Sequence, residues 1–335
     1  MDNSAVSVAA PERTSLRTHL SRHSSLVTFI SLALLLTILT HGAALSVDSV
    51  QNLVVAEAVR AFAALGVGMI IITRGIDLSI GSVVGLAASV AASFAQTADY
   101  SSALYPGHVF PLWLPILAGI ATGALFGLLN GALVAYSRLP AFIATLGTMS
   151  IAHGCQLIYT HAASVGSLRP DYKVLAQGSW GPVPNLAIFA FIAALAVWML
   201  LRFFRQGTYF YAIGGNEVAA KVSGINVNRQ LILVYTYAGI LYGIGGCLLA
   251  ARIGLADALS GQGMELDAIA AVTVGGVSQS GGVGTVSGMM LGVLTLGIIN
   301  YGMAYMGIDS YFQLLIKGMI ILIAVYFDMR KYKRR

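Results

Sequence analysis

The chain has 335 residues, of which 57% are hydrophobic and only 10% are charged, and its formal net charge is +6. A soluble globular protein carries about 25% charged residues, so this composition excludes that class. Several apolar runs exceed the roughly 18 residues that indicate a membrane-crossing helix, and they do not alternate as barrel strands do. The sequence therefore predicts an all-α, polytopic helical membrane protein.

We predict about ten transmembrane helices, some of them short or broken. The second is weakened by Glu57 and Arg60, the third opens on Asp77, and the eighth is too short for a full crossing. The predicted spans cover residues 25–45, 52–73, 76–97, 112–136, 141–161, 184–205, 230–252, 264–277, 284–306 and 310–328.

The basic residues predict the orientation of the chain. With ten spans and a cytosolic N-terminus, fourteen of the nineteen lysines and arginines fall on inner segments and three on outer loops. This excess follows the positive-inside rule, so the positive charge needs no nucleic-acid partner. We expect a cytosolic segment at residues 1–24, a transmembrane domain at residues 25–328 and a basic cytosolic tail at residues 329–335. Both termini are then cytosolic.

Glycines recur at every fourth position in two of the predicted spans. Residues that are four apart lie on one face of a helix, where the missing side chains let two backbones approach closely. We interpret both series as packing surfaces rather than ligand contacts. The two series are Gly119, Gly123, Gly127 and Gly131, and Gly284, Gly288 and Gly292.

Several functional motifs do not occur in the sequence. A P-loop needs a lysine after a glycine, and none of the lysines follows one; HExxH and GxSxG are absent as well. Ionisable residues are few for an ion-coupled carrier: Glu57 and Arg60 are spaced to neutralise each other, and Lys317 stands alone. The classes that remain are a permease driven by a separate ATPase, a stand-alone carrier or channel, and a membrane enzyme or scaffold.

The polar segment at residues 206–229 lies between two apolar runs and is predicted to be cytosolic. Gly214 and Gly215 break the preceding structure, Asn216 is a candidate N-cap, and Gly224 is a stop signal. The short helix between them is either a solvated connector or a surface that docks into another protein. The residues that we single out for docking are Asn216, Glu217, Ala219, Ala220, Lys221 and Gly224.

Four separated stretches resemble one family. Residues 206–229 look like the cytosolic coupling segment of permease subunits of bacterial ATP-binding-cassette importers. Three further stretches are similar to motifs of the ribose/xylose/arabinose-type sugar permeases, and their order and spacing agree from about residue 45 to residue 328. They are "TRGIDLSIGS" (Thr73–Ser82), "RLPAFIATLGTM" (Arg138–Met149) and "MELDAIAAVTVGGVSQSGGVGTVSG" (Met264–Gly288).

The resemblance implies a permease subunit that moves a monosaccharide or sugar-like solute across the bacterial inner membrane. It also implies a periplasmic sugar-binding protein, a second permease copy or paralogue, and a cytosolic ATPase that docks on Asn216–Gly224. ATP and Mg²⁺ are then bound by that ATPase. We expect no cofactor, metal or catalytic residue in this chain, and membrane lipid around it.

Polar and aromatic residues in the apolar spans are candidates for the substrate path. They are Asp77, Asn130, Phe142, Thr145 and Thr148. Each has a structural alternative: helix capping for Asp77, core packing for Phe142, and a bond to a neighbouring helix for the other three. Glu265 and Asp267 are expected at the outer edge of the eighth span, as helix caps or as substrate contacts.

Arg74 departs from the family pattern, because a glycine usually stands at its position. We expect its guanidinium to pair with Asp77, three residues further along the chain.

Overall fold

A computed structural model describes residues 24–137 and 139–332. Within these residues the chain forms thirteen α-helices and a single two-stranded hairpin, which confirms the predicted fold class. The predictions for residues 1–23, Arg138 and residues 333–335 lie outside the described residues.

The helices are numbered in chain order, and a 3₁₀ turn follows the first. They are α1 (Ser24–Leu39), α2 (Val47–Ile72), α3 (Ile80–Phe94), α4 (Trp113–Tyr136), α5 (Ala141–Thr160), α6 (Pro170–Gln177), α7 (Asn185–Phe203), α8 (Arg205–Gly215), α9 (Glu217–Val222), α10 (Val227–Ile253), α11 (Met264–Val274), α12 (Val286–Tyr305) and α13 (Ser310–Tyr332). The hairpin pairs β1 (Ser179–Trp180) with β2 (Val183–Pro184) between α6 and α7.

Each of the ten predicted spans corresponds to a helix, but the helices differ in length. Six of those described, namely α2, α4, α5, α7, α10 and α12, are long and apolar enough to cross a membrane. The apolar parts of α1, α3 and α13 are shorter, and α11 has only 11 residues. The expected weakness of the second span was wrong. Helix α2 has 26 residues and is buried from Glu57 to Ile72 except at Arg60, whose side chain is one third exposed.

The predicted glycine series are packing surfaces. A Cβ atom on Gly123 of α4 would collide with the carbonyl oxygen of Gly239 on α10. A Cβ atom on Gly292 of α12 would collide with the carbonyl oxygen of Ala271 on α11. Both helix pairs therefore pack backbone against backbone, which larger residues at these positions would prevent.

Four charged side chains form a cluster inside the bundle and join α2, α11 and α13. The guanidinium of Arg60 contacts Glu57 at 2.5 Å and Asp267 at 3.3 Å. The ammonium of Lys317 contacts Asp267 at 3.2 Å. The predicted pair of Glu57 and Arg60 is confirmed, whereas the prediction of an isolated Lys317 was wrong. Two acids and two bases offset one another, as buried charges require.

The connections between helices lie on two opposite faces. On the first, which we call the hairpin face, the Arg169 N–H before α6 donates to the carbonyl of Ala95 after α3, at 2.9 Å. On the second, the α9 face, the hydroxyl of Tyr211 in α8 donates to the carbonyl of Gly284 at 2.8 Å. Burial raises the pKa of Tyr211, so this hydroxyl stays protonated and able to donate. The alternation of the helices directs the start of α1 and the end of α13 to the α9 face.

Candidate functional site

Helices α3 and α11 meet end to end inside the bundle. A Cβ atom on Gly81 would collide with the carbonyl oxygen of Gly261, and one on Gly261 with that of Gly81. From this junction α3 runs 15 residues to the hairpin face, and α11 runs 11 residues to the α9 face. At 1.5 Å per residue they are about 22 and 16 Å long, which together span the hydrocarbon core of about 30 Å. The junction therefore lies near the middle of the membrane.

Three of the predicted path residues belong to one buried hydrogen-bond chain at the start of α3. The carboxylate of Asp77 accepts the Ser79 N–H at 2.8 Å and the Ser79 hydroxyl at 2.7 Å. The side-chain amide of Asn130 in α4 donates to the Ser79 oxygen at 2.8 Å. The Thr148 hydroxyl in α5 donates to the Asn130 oxygen at 2.6 Å. These hydrogen bonds thus link the start of α3 to α4 and α5.

The other two predicted path residues lie on different sides of α5. Thr145 is fully buried, and its hydroxyl oxygen accepts the Leu78 N–H at 3.1 Å. Phe142 is 50% exposed on the surface of the helix. Protein groups occupy the polar atoms of Thr145, which favours the alternative of a bond to a neighbouring segment for this residue. Asp77 does not cap α3 directly, because its carboxylate bonds Ser79, the residue before the first helical turn.

A cavity of about 140 Å³ adjoins the junction, between α3, α5, α11 and the preceding loop. We call it the junction cavity. Its polar lining residues are Ser82, Ser150, His153, Ser260, Gln262 and Glu265. Among them, only Glu265 was predicted from the sequence as a possible substrate contact. The missed signal is Ser150 and His153, a hydroxyl and an imidazole three residues apart on one face of an apolar span.

Glu265 and Asp267, predicted as helix caps or as substrate contacts, have different surroundings. Both lie in the first turn of α11, but they face different neighbours. A Cβ atom on Gly81 would collide with the Glu265 carboxylate, so this carboxylate lies beside the start of α3. Asp267 instead belongs to the charge cluster and pairs with Arg60 and Lys317.

Helix α9 forms where the sequence predicts it. The Asn216 side chain accepts the Ala219 N–H at 3.0 Å as an N-cap, and Gly224 has a φ of +83° after the last turn. Two apolar side chains on this helix were not among the predicted docking residues: Val218 is 73% exposed and Val222 is 84% exposed. They are four residues apart and therefore lie together on the solvent side.

The remaining residues singled out on α9 divide between its two sides. Glu217, Ala219 and Lys221 are exposed. Ala220 is only 4% exposed and packs with Ile213 of α8 and Val227 of α10. Ala220 therefore anchors the helix to the protein beneath it, and the exposed residues are free to contact another protein.

The residues before α9 form helix α8, in a segment that was predicted to be a loop. The predicted break at Gly214 and Gly215 occurs one residue later, at Asn216. A Cβ atom on Gly214 would collide with the carbonyl oxygen of Ile72, the last residue of α2. The base of α9 is therefore packed directly on the end of a central helix.

Arg74 connects the α9 segment with the connection between α2 and α3. Its Nε donates to the carbonyl of Ser280 at 2.7 Å, and its Nη2 donates to the carbonyl of Gly215 at 3.1 Å. The expected ion pair with Asp77 is not formed, because Asp77 is buried in the hydrogen-bond chain and Arg74 is exposed on the α9 face. The backbone of Arg74 has a φ of +65°, a conformation that is unfavourable without compensating contacts.

The buried hydrogen bonds between Ser79, Asn130 and Thr148 lead to a prediction on stability. Thr148→Val leaves the Asn130 oxygen without its donor, and Asn130→Ala removes the link to Ser79. Because each change disrupts the same chain, the double variant should lose less than the sum, with a coupling energy of about 0.6 to 2 kcal/mol. Unfolding of the detergent-purified protein measures it. Thr122→Val is the control, because Thr122 bonds only the Ala118 carbonyl of its own helix. A coupling energy of zero would contradict an energetic link between Asn130 and Thr148.

Comparisons with known proteins agree with this architecture. The sequence profile of the family described as "Branched-chain amino acid transport system / permease component" matches residues 49–325. The galactose/methyl galactoside import permease protein MglC of Escherichia coli (strain K12) is 41% identical over 299 residues, which cover 87% of this chain and 89% of that protein. The ribose import permease protein RbsC of the same strain is 36% identical over 290 residues, which cover 85% and 87%.

A further similar protein comes from another organism. The ribose import permease protein RbsC of Bacillus subtilis (strain 168) is 37% identical over 249 residues, which cover 74% of this chain and 77% of that protein. No solved structure matches the chain significantly. Since the family profile spans most of the sequence, and the relatives match it along most of their own length, the chain belongs to this family of membrane transport permeases.

Proposed function

We propose that the chain is the membrane-spanning permease subunit of an ATP-binding-cassette importer that moves a monosaccharide or sugar-like solute across the bacterial inner membrane. The observation that carries this proposal is the identity of 41% and 36% with import permeases whose names specify galactose and ribose. The family description names branched-chain amino acids, so the choice of a sugar needs a physical argument as well.

The junction cavity supports a neutral polyhydroxylated solute over an amino acid. Its lining contains hydroxyl, amide and imidazole groups and one carboxylate, but neither lysine nor arginine. An amino acid brings a carboxylate that needs a cation or a free helix N-terminus. The N-terminus of α3 already has the Glu265 carboxylate beside it. A sugar needs only hydrogen-bond donors and acceptors, which this lining supplies.

Reconstituted transport tests the function. Proteoliposomes that contain the permease with its cognate ATPase and binding protein should accumulate radiolabelled D-galactose or D-ribose when ATP is inside, and should not accumulate L-leucine. The permease alone should transport none of them, because its sequence contains no P-loop for ATP binding. Leucine uptake would overturn the substrate class. Sugar uptake by the permease alone would favour the alternative function, a stand-alone carrier or channel.

The exposed side of α9 is the proposed contact for the ATPase, which would supply the ATP and Mg²⁺ sites that this chain does not need. Val218 and Val222 form an exposed apolar pair, and a groove beside them is lined by Glu217, Lys221 and Gly224. Exposed apolar side chains next to a polar groove are suited to reversible binding of a partner protein. Ala220 on the buried side of α9 packs against α10, and Gly214 at the base of α9 packs against the end of α2. Force applied to α9 would therefore be transmitted to these membrane helices.

This arrangement requires the α9 face to be cytosolic, with the hairpin face toward the periplasmic binding protein. The excess of basic residues predicted for the inner segments supports it. Impermeant maleimide should label Val222→Cys only after the inner membrane is opened, and should label Val183→Cys in spheroplasts. Both variants need Cys155→Ser, because Cys155 is an exposed free thiol. Labelling of Val222→Cys from outside intact spheroplasts would reverse the orientation.

A pair of charges on α9 should uncouple the permease from its ATPase. In the variant Val218→Asp/Val222→Asp, two carboxylates replace the apolar pair, so ATPase co-purification and ATP-driven sugar uptake should fall at least tenfold. Exposed substitutions usually change stability by less than about 0.5 kcal/mol, so expression and monodispersity should stay normal.

The matched control for this variant is Val183→Asp, on the exposed hairpin at the opposite face. It should retain the ATPase at the wild-type level. If the α9 variant also retains the ATPase and transports at the wild-type rate, α9 is a connector and the ATPase docks elsewhere.

A further inference from the structure

We propose that Arg74 is a positioning residue for energy coupling, because its side chain makes the turn between α11 and α12 follow the movements of α9. This inference rests on the proposed function, in which α9 receives the force of the ATPase. It names the residue that passes this force to the segment leaving α11. The link depends on a residue that departs from the family motif, so it is a property of this chain.

The backbone at Arg74 has a conformation that normally belongs to glycine. After the end of α2, the Arg74 N–H donates to the Ile71 carbonyl at 2.9 Å, and the Gly75 N–H donates to the Ile70 carbonyl at 3.0 Å. These two bonds form a Schellman motif, whose residue with positive φ is usually glycine. Arg74 occupies that position with a φ of +65°, which is unfavourable for a residue with a Cβ atom. We therefore looked for a contact that a glycine could not make.

The Arg74 side chain makes such a contact with two distant segments at once. Its Nε donates to the Ser280 carbonyl at 2.7 Å, in the turn between α11 and α12. Its Nη2 donates to the carbonyl of Gly215 at 3.1 Å, directly before the Asn216 N-cap of α9. A guanidinium presents its donors in a rigid plane, so it can hold two acceptors in a fixed relation. One side chain thus joins the end of α2, the base of α9 and the turn after α11.

Both acceptor segments are suited to this side chain. Gly215 is the last residue of α8, where carbonyls have no partner within the helix and a positive charge is favourable. In the turn, a Cβ atom on Gly281 would collide with Cγ of Arg74. Gly281 itself has a φ of +78°, a conformation that favours glycine. The turn therefore leaves room for the stem of the arginine.

The hydrogen bonds of Arg74 add a property that the backbone packing beside them lacks. A Cβ atom on Gly214 would collide with the backbone nitrogen of Gly282, so the base of α9 and the turn already touch. Such contacts resist compression strongly, but the attraction between each pair of atoms is small. Hydrogen bonds from a charged donor also resist separation. Arg74 therefore lets the turn follow α9 when α9 moves away as well as when it moves inward.

Stability does not account for Arg74. Both of its hydrogen bonds are exposed to water, which competes for the same donors and acceptors. Exposed substitutions usually have small effects on stability, and replacement by glycine also relieves the unfavourable backbone. We therefore expect Arg74→Gly to fold and to melt at the wild-type temperature or above it, and to lose coupling alone.

The coupling ratio tests the proposal. In proteoliposomes that contain the whole importer, Arg74→Gly should raise the ATP hydrolysed per sugar taken up at least threefold, while ATPase co-purification stays at the wild-type level. The sugar is whichever of D-galactose and D-ribose the wild type takes up. Arg205→Ala is the matched control, because it removes an exposed positive charge at the start of α8. It should keep the wild-type ratio.

An unchanged ratio in Arg74→Gly would overturn the proposal. A melting temperature below that of the wild type, or failure to assemble, would overturn it as well, because the side chain would then act in folding. Wild-type proteoliposomes distinguish the two levels of inference. If they take up neither sugar, the proposed function fails; if they take one up and Arg74→Gly is fully coupled, only the role of Arg74 fails.

A lysine at this position separates charge from geometry. Arg74→Lys keeps the positive charge but replaces the planar fork by a single ammonium, which does not hold both carbonyls in the same relation. The ATP hydrolysed per sugar should therefore stay at least twofold above the wild-type ratio. A wild-type ratio in Arg74→Lys would show that charge alone is sufficient and would contradict the bridge.

Hydrogen–deuterium exchange tests the link without transport. In nanodiscs that contain the permease and its ATPase, addition of a non-hydrolysable ATP analogue should change amide exchange in α9 and in residues 276–284 of the wild type. In Arg74→Gly the change in α9 should remain, and the change in residues 276–284 should fall by at least half. An equal response of residues 276–284 in both proteins, or none in the wild type, would refute the link.

Discussion

The backbone contact between Gly81 and Gly261 is the constraint on which the rest of the structure depends. It lets α3 and α11 start at one point inside the membrane and run to opposite faces. Two helix starts bring unpaired N–H groups and positive partial charges together, which hydrocarbon would not tolerate. The Glu265 carboxylate beside Gly81 offsets those charges. The hydrogen-bond chain that links Asp77, Ser79, Asn130 and Thr148 fixes the residues that lead into α3.

The same constraint connects the membrane centre with the α9 face. The Ile72 carbonyl at the end of α2 accepts the Gly282 N–H at 2.8 Å and touches Gly214 at the base of α9. Arg74 lies in the connection between α2 and α3, and its side chain donates hydrogen bonds to the carbonyls of Ser280 and Gly215. A displacement of α9 relative to α2 must carry these contacts with it or break them. The contacts of Ile72 and Arg74 therefore join the base of α9 to the segment that enters α3 and to the segment that leaves α11.

The sequence predicted features that local rules determine, such as the caps of α9 and the glycine-lined contacts of α4 and α12. The predictions were wrong where a residue's contacts come from a segment far away in the sequence. Glu57 and Arg60 made α2 look weak, because Asp267, more than 200 residues later, was not visible as their neighbour. Arg74 was assigned to Asp77 because they are three residues apart, but its partners lie 141 and 206 residues away. Local spacing likewise showed the polar residues before α3 but not the cavity that α5 and the loop before α11 form with it.

The placement of charge supports the proposal that a separate ATPase supplies the energy for transport. An ion-driven carrier needs a titratable or ion-binding group that is alternately exposed to the two sides. In the described bundle, Glu57, Arg60, Asp267 and Lys317 bond one another across three helices, so any one that moves alone leaves a buried charge unpaired. Glu265 at the junction cavity is held by helix ends rather than by a mobile cation. These ion pairs hold α2, α11 and α13 in one arrangement. In the proposed importer, the force that changes this arrangement would arrive from the α9 face, where Val218 and Val222 are exposed.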